Sequence, residues 1–278
     1  GRSLPRTRAL MFLALYLACE VGGVTASTLL WLFTAGGLVG GSKRFLDANA
    51  ALQRAFSGAL FWGGLALFSM RLERVGASEA ERGPLLLFVR HSSTADTVLA
   101  AALVANPRRL LLRYVLKREL LWDPCLDIVG RRLPNAFVDR QSSRAQGELD
   151  AVARLAEGLD ASSAVLIYPE GTRFSEDKLA RSVAALQKKG DATLASIAAH
   201  YRSVLPPRLG GPLALLDAAP GVDVVFLEHT GFEGASSFAS FWSGTFVRAT
   251  LRVRLRRVPA ASIPKEGRDR WLFEQWAE

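Results

Sequence analysis

The 278-residue chain reads as an α/β protein: a mixed sheet flanked by helices, preceded by a helical membrane hairpin. Three observations predict this. From about residue 76 onward, short apolar runs of strand length alternate with segments of helical periodicity. The run TLRVRLRRV at 250–258 alternates strictly, with Leu251, Val253 and Leu255 on one face and Arg252, Arg254 and Arg256 on the other, as a half-buried strand does. The N-terminal quarter is apolar on a longer scale, and Glu20 is its only charged residue between Ala9 and Gly41.

The N-terminal pattern separates three readings. VGGVTASTLLWLFTAGGLVGG has the length a membrane helix needs, about 20 residues. Lys43 and Arg44 interrupt it, and a second apolar run, AFSGALFWGGLALFSM at 55–70, is short for an independent span and is closed by Arg71 and Arg74. A cleaved signal peptide with Arg2, Arg6 and Arg8 as its basic region conflicts with the long apolar stretch and with the second run. A full span calls for more Lys and Arg on one flank, whereas Arg2, Arg6 and Arg8 balance Lys43, Arg44 and Arg54. A hairpin dipping into one leaflet, with basic residues at both ends and at its turn, accounts better for that symmetry. The span stays open as the alternative. The expected organisation is residues 1–75 as the membrane-associated hairpin and 76–278 as the α/β domain, held on the cytoplasmic side of an inner or cytoplasmic membrane.

The net charge of +9 favours an anionic partner: nucleic acid, an anionic lipid surface or a phosphorylated substrate. Nucleic acid is disfavoured, because the arginines of 252–256 lack the interleaved aromatics that stack bases. Those arginines read as a solvated edge face or, more sharply, as a strip toward lipid headgroups or a phosphate. Cys19 and Cys125 are far apart, without metal-ligand spacing, and imply no disulfide framework. No metal constellation is visible.

PLLLFV (84–89) is a continuous apolar run suited to a strand buried on both faces. STADTVLAAALVAN then reads as a helix with Ser/Thr caps. LLLRYVL (110–116) and NAFVDR (135–140) read as strands and 143–159 as a helix, with Leu149, Val152, Ala156 and Leu159 at helical spacing. SAVLIYPEGTR (163–173) is a strand running into a loop, and GVDVVFLEH (221–229) is another strand. Trp271 and Trp276 belong to a last helix that packs on the sheet or touches the interface.

Candidate chemistry gathers at strand ends. His91 follows an apolar strand and Asp96 falls in the first turn of the next helix. An ionised carboxylate on one imidazole nitrogen fixes the tautomer and leaves the other nitrogen as a base. Alone this pair is a weak signal, since Asp at a helix start is ordinary capping. At the end of a later strand, Pro169, Glu170, Gly171, Thr172 and Arg173 form a tight polar loop. Gly171 permits an unusual backbone conformation, and Arg173 offers a planar fork suited to phosphate. FVDR similarly ends a strand on Arg140. In a parallel α/β sheet such ends carry the ligand site.

H-x-x-x-x-D (His91 to Asp96), F-V-D-R (Phe137 to Arg140) and P-E-G-T-R (Pro169 to Arg173), in this order after an apolar N-terminus, resemble the motifs of the glycerophospholipid acyltransferases. SVLPPRLGG (203–211) looks like that family's proline block, in a variant with Arg208. Arg90 stands where many members place Asn, and the proline block departs from a Val-Pro-rich form, which leaves room for an acceptor other than lysophosphatidic acid. The resemblance implies His91 as general base held by Asp96, Arg140 and Arg173 on the acceptor phosphate, and Glu170 and Thr172 shaping that pocket. Glu170 also reads as an ion-pair partner of Arg173 or Arg140. Backbone N–H groups near Pro206–Gly210 are candidates for the oxyanion. The implied substrates are a lysophospholipid, first of all 1-acylglycerol-3-phosphate, and an acyl thioester on CoA or acyl carrier protein, with no further cofactor and with membrane lipids as partners.

Two readings from other classes compete. Ser92 and Ser93 beside His91 invite a membrane-bound esterase or thioesterase, although no G-x-S-x-G elbow is present. A basic membrane-surface protein without chemistry would use the arginines of 252–256 alone. His200 and His229, outside the motifs, read as surface or core histidines.

Overall fold

The computed structural model describes residues 4–39, 41–139, 145–235 and 238–277. Two long helices come first, α1 (Pro5–Thr34) and α2 (Ser42–Phe68). Seven strands follow: β1 (Arg71–Val75), β2 (Leu85–Val89), β3 (Leu111–Lys117), β4 (Ala136–Val138), β5 (Ser163–Ile167), β6 (Asp223–Thr230) and β7 (Thr250–Val258). They form one sheet in the order β1, β7, β6, β2, β5, β3, β4. Every neighbouring pair is parallel except β6 and β7, so the sheet is mixed. The remaining helices are α3 (Asn106–Arg108), α4 (Pro124–Arg131), α5 (Ala145–Arg154), α6 (Glu176–Lys188), α7 (Ala192–Ala198), α8 (Gly210–Ala218), α9 (Phe238–Ser243) and α10 (Arg268–Ala277).

β2 lies near the middle of the sheet, and all five of its residues are fully buried. Leu85, Leu87 and Val89 face a layer made by residues 99–105 with Phe61 and Leu65 of α2. Leu86 and Phe88 face the opposite layer, which α5, α7, α8 and α10 build with Val152, Leu194, Leu215 and Leu272. Each such side chain contributes about 1.5–3 kcal/mol by leaving water, so an uninterrupted Leu-Leu-Leu-Phe-Val run is stable only where both faces are covered. α10 packs on the sheet, with the rings of Trp271 and Trp276 6.2 and 6.0 Å from that of Phe226.

Three sequence expectations change. The division at 75/76 falls one strand late: β1 pairs with β7 from Arg71–Thr250 to Val75–Arg254 and so belongs to the sheet. RLERV carries three charges and lies at the sheet edge, mostly exposed, so no apolar run marks it. The segment after His91 is not a regular α-helix but a 3-10 turn (Ala95–Val98), a π-helical turn (Ala101–Ala105) and α3. Its side chains are committed to packing, with residues 99–105 all buried against the sheet. β7 is not an edge, and its outward arginines meet carboxylates: Arg252 with Glu73 at 2.8 Å and Arg254 with Glu228 at 3.6 Å.

α1 is the helix among the described residues that is long and apolar enough to cross a membrane by length and composition. It runs antiparallel to α2. The two helices approach closely where Gly63 faces Leu15: a Cβ there would sit 2.4 Å from Leu15 Cδ2, so the leucine would have to shift. α1 also docks on α4 through polar bonds. Tyr16 donates to Asp123 (2.7 Å), the Cys125 N–H donates to Glu20 (3.1 Å), and Arg132 donates to the Ser27 hydroxyl (2.6 Å). The lone acid of the apolar run thus accepts a hydrogen bond from the start of α4, while Met11, Leu17, Val21, Leu32 and Phe33 are exposed.

Leu87→Ala is expected to destabilise the protein by about 2–5 kcal/mol, because the fully buried site cannot collapse around the lost methyls; a denaturant titration of wild type and variant, compared at equal slope, measures it.

Candidate active site

The carboxyl ends of three adjacent parallel strands, β6, β2 and β5, carry the site. The chain leaves β2 through Arg90 and His91 and turns back at once. Asp96, fully buried, accepts on Oδ2 from the backbone N–H groups of Ser92 (2.7 Å) and Ser93 (2.8 Å). Its Oδ1 lies 2.9 Å from Nδ1 of His91. The donors holding the carboxylate are therefore two N–H groups of a tight turn, not the start of a long helix. Burial pushes the Asp96 carboxyl up, but the contacts of His229 and His91 more than offset this and hold it at about 2. An ionised carboxylate on Nδ1 places the imidazole proton there and leaves Nε2 as the basic nitrogen. The His91 side chain is 19% exposed, and its ring lies 4.7 Å from that of Tyr168.

The loop after β5 clamps His91 from the other side. Glu170 is buried; one of its oxygens accepts from the His91 N–H (3.0 Å) and the other from the Leu205 N–H (2.9 Å). The Phe174 N–H donates to the His91 carbonyl (3.2 Å). Glu170 thus joins the loops after β2 and β5 to the proline block. Burial pushes its carboxyl up to about 7, against the pull of those two N–H groups.

The Tyr168–Gly171 turn, closed by the Gly171 N–H to the Tyr168 carbonyl (3.0 Å), gives Gly171 a φ of +70°. A Cβ there would fall 2.8 Å from the Arg208 side chain, so the glycine serves both the turn and the seating of Arg208. The Arg208 N–H donates to the Pro169 carbonyl (2.8 Å), and residues 206 and 207 are prolines without an N–H. Leu209 and Gly210, where α8 begins, are what remains of the stretch expected to hold an oxyanion. Thr172 accepts from Lys178 (3.1 Å), and Arg173 donates to the Thr94 hydroxyl (3.3 Å). Arg140 lies outside the described residues. The structure therefore brings His91, Asp96, Glu170, Gly171, Thr172, Arg173 and Arg208 to one end of the sheet.

A cavity of about 410 Å³ opens beside these loops. Phe12, Tyr16, Leu60, Phe61 and Phe68 of α1 and α2 line it, with Phe232, Phe241 and Phe246. Its polar end is Thr94, Thr97 and Arg173, so it reaches the turn that carries Asp96 without touching His91 itself.

Three residues matter that the motifs did not assign. Arg90 is buried and donates to the Ser203 carbonyl (2.9 Å), to Glu233 (3.1 Å) and to the His229 carbonyl, fastening two loops and the end of β6 from the position next to His91. Lys178 braces the Thr172–Arg173 turn and donates to the Arg173 carbonyl (2.9 Å). His229 is buried with Nε2 3.5 Å from Asp96 Oδ2. Its signal was in the alternation of β6: Val225 and Leu227 point to the core, and the next inward position is a histidine. The Ser92 and Ser93 side chains are buried, and the Ser93 hydroxyl accepts from the Ala95 N–H (3.1 Å), which leaves no exposed serine nucleophile beside His91. Among the described residues, no group of three or more His, Cys, Asp or Glu could hold a metal ion.

A buried carboxylate orienting a half-buried imidazole, at strand ends that also present arginines, suits an enzyme acting by general-base chemistry on an anionic substrate. Residues 71–209, half of the chain and beginning at β1, match the family model described as Acyltransferase, and the chain belongs to that family. Among solved structures, the 1-acyl-sn-glycerophosphate (LPA) acyltransferase PlsC from Thermotoga maritima shares the fold, with a TM-score of 0.62 at 14% identity over 99% of this chain and 95% of that one. A search of curated proteins found no match.

Glu170 gives a pH signature. Its carboxyl is held at about 7 in the folded protein, above the ordinary glutamate value of 4.5. The folded state therefore binds a proton that the unfolded state releases between those values. Stability from this group is full below about 4.5 and is lost as pH rises through about 7. Glu170→Gln is expected to remove that slope, which thermal unfolding midpoints of both proteins across pH 4.5–8 would measure.

Proposed function

We propose that the protein transfers a fatty acyl group from an acyl thioester to the free hydroxyl of a lysophospholipid, first of all 1-acylglycerol-3-phosphate, with His91 as general base. The Asp96–His91 pair carries the reading: it leaves one imidazole nitrogen basic at the rim of a site flanked by arginines. The acceptor hydroxyl gives its proton to Nε2 of His91 as its oxygen attacks the thioester carbonyl. The carbon–sulfur bond then breaks, the thiolate leaves, and the imidazolium returns the proton to it. The thioester is already activated, so no covalent enzyme intermediate is needed. General-base help of this kind supplies about 10²–10⁴-fold.

Arg173 and Arg208 are assigned to the acceptor phosphate, with Arg140 as a third partner, and Gly171 and Thr172 as the loop that holds them. Glu170 is assigned a positioning role: its two oxygens accept from the His91 and Leu205 N–H groups and so join the loops around His91. The apolar cavity between α1, α2 and the site, with Arg173 and Thr94 at its polar end, supports an acyl-chain site. The donor is acyl-CoA or acyl-carrier protein.

The placement of α1 favours a helix pair lying in one leaflet over a free span. Its middle turns are bonded to α4 by Tyr16, Glu20 and Ser27, while its outer face is apolar and exposed. A helix crossing the bilayer alone would carry those polar groups into hydrocarbon. We assign the catalytic domain to the cytoplasmic face of the membrane.

Thiol release from acyl-CoA by the detergent-solubilised protein tests the reading. Release is expected to require a lysophospholipid, and His91→Ala is expected to abolish it with the circular-dichroism spectrum kept. Acceptor-independent release would make the protein a thioesterase, and substantial activity in His91→Ala would remove the base. Arg173→Ala is expected to raise KM for a phosphate-bearing acceptor about 10-fold, the loss of one charge-assisted hydrogen bond, with kcat little changed; an unchanged KM would take Arg173 out of the phosphate site.

A further inference from the structure

His229 occupies a position where the sheet asks for an apolar residue. It follows Val225 and Leu227 on the inward face of β6, is 2% exposed, and packs against the ring of Phe232 at 5.8 Å. A buried imidazole there costs free energy unless its polar atoms are used. Its Nε2 lies 3.0 Å from the Arg90 carbonyl oxygen. A carbonyl can only accept, so Nε2 carries the proton. The same nitrogen also lies 3.5 Å from Asp96 Oδ2. Nδ1 is buried and has no hydrogen-bond partner among the described residues, so this ring forgoes one bond in order to make the other. Arg90 answers by donating from its guanidinium to the His229 carbonyl.

We propose that His229 is a positioning residue for the transfer reaction, fixing the loop that aims His91. Its Nε2–H bonds to the carbonyl just before His91 and lies beside the carboxylate that orients the imidazole. Backbone and carboxylate are thereby held to β6, a strand whose register with β2 is set by parallel pairing from Leu85–Asp223 to Val89–Leu227. The N–H also draws charge from Oδ2, which moderates how strongly Asp96 pulls on the His91 proton. The charged groups around His229 are Asp96 and His91 on the loop after β2, Arg90, Glu233 beyond β6, and Glu170 from β5 on the far side of His91; β7 presents the apolar Val253 opposite it. This inference rests on the proposed acyl transfer with His91 as base.

The test compares His229→Leu, which keeps the volume and loses the N–H, with His229→Gln, whose amide reaches as far and donates. Leu227→Ala, on the same face of β6 but away from Asp96, controls for lost packing. His229→Leu is expected to lower kcat about 10-fold, a share of what general-base help supplies, with KM for both substrates within about two-fold. Without the N–H, Asp96 holds the imidazolium more strongly, so the acid limb of the kcat–pH profile is expected to move up by about half a unit or more. His229→Gln is expected to restore both, and Leu227→Ala to leave the acid limb in place. Equal losses in the Leu and Gln variants, or an unmoved acid limb in His229→Leu, would overturn the proposal. If His229→Leu does not fold, His229→Asn, whose amide is too short to reach Asp96, is read in its place with the same two outcomes. NMR titration of the His91 ring needs no turnover: a midpoint raised in His229→Leu and restored in His229→Gln supports the positioning role even if acyl transfer fails, and an unshifted midpoint ends it.

Discussion

The site depends on keeping one carboxylate ionised in a place without water. Asp96 is fully buried at the end of a fully buried strand, and an unpaired charge there would cost several kcal/mol or be neutralised by a proton. Two N–H groups from Ser92 and Ser93 meet one oxygen and His91 meets the other. Those contacts dictate the local chain path. Residues 92–96 must curl tightly enough to aim two successive amides at a side chain three and four residues on, so the segment starts as a 3-10 turn and not as an α-helix. The orientation of His91 follows from the same turn.

A second buried carboxylate extends the arrangement outward. Glu170 spends its oxygens on the backbone of His91 and of Leu205, so the loop after β5 cannot shift without moving His91. Arg90 ties the same point to the residues around Ser203 and Glu233. The site is thus a set of loops bonded to one another by buried charged side chains reaching backbone groups. This explains why an arginine can stand before His91. It reaches carbonyls and a carboxylate that a shorter amide would leave unpaired, and its charge is neutralised by Glu233 without entering the His91–Asp96 pair.

How much of this was legible in the sequence depended on range. Apolar runs such as LLLFV and SAVLI announce central strands because both faces are buried, and the alternation of TLRVRLRRV announces β7. β1 was illegible: five residues with three charges at an edge carry no pattern until β7 pairs with them. The motif residues on the loops after β2 and β5 were legible as a group, since they follow strand ends; Arg208, in the proline block before α8, has no such mark. Their division of labour was not. That Glu170 holds the backbone of His91 and Leu205, and that Arg208 rests on Gly171, are facts about loops 35 or more residues apart. His229 shows the same limit. Its inward position could be counted along β6, but not its distance from Asp96, which depends on β6 lying next to β2.

The helices before the sheet and the chemistry at its end are coupled by shared side chains. Phe61 and Leu65 of α2 belong to the core under β2 while also lining the cavity, and Phe12 and Tyr16 of α1 complete that lining. Tyr16 at the same time bonds to Asp123 at the start of α4. A change in how α1 sits on the domain must therefore alter the cavity wall, because the same turns do both. On the proposed reading, the exposed apolar face of α1 meets the bilayer while its inner face shapes the acyl site. The bilayer then acts on substrate access through a helix whose polar stripe is bonded to the catalytic domain and so has no separate way to move.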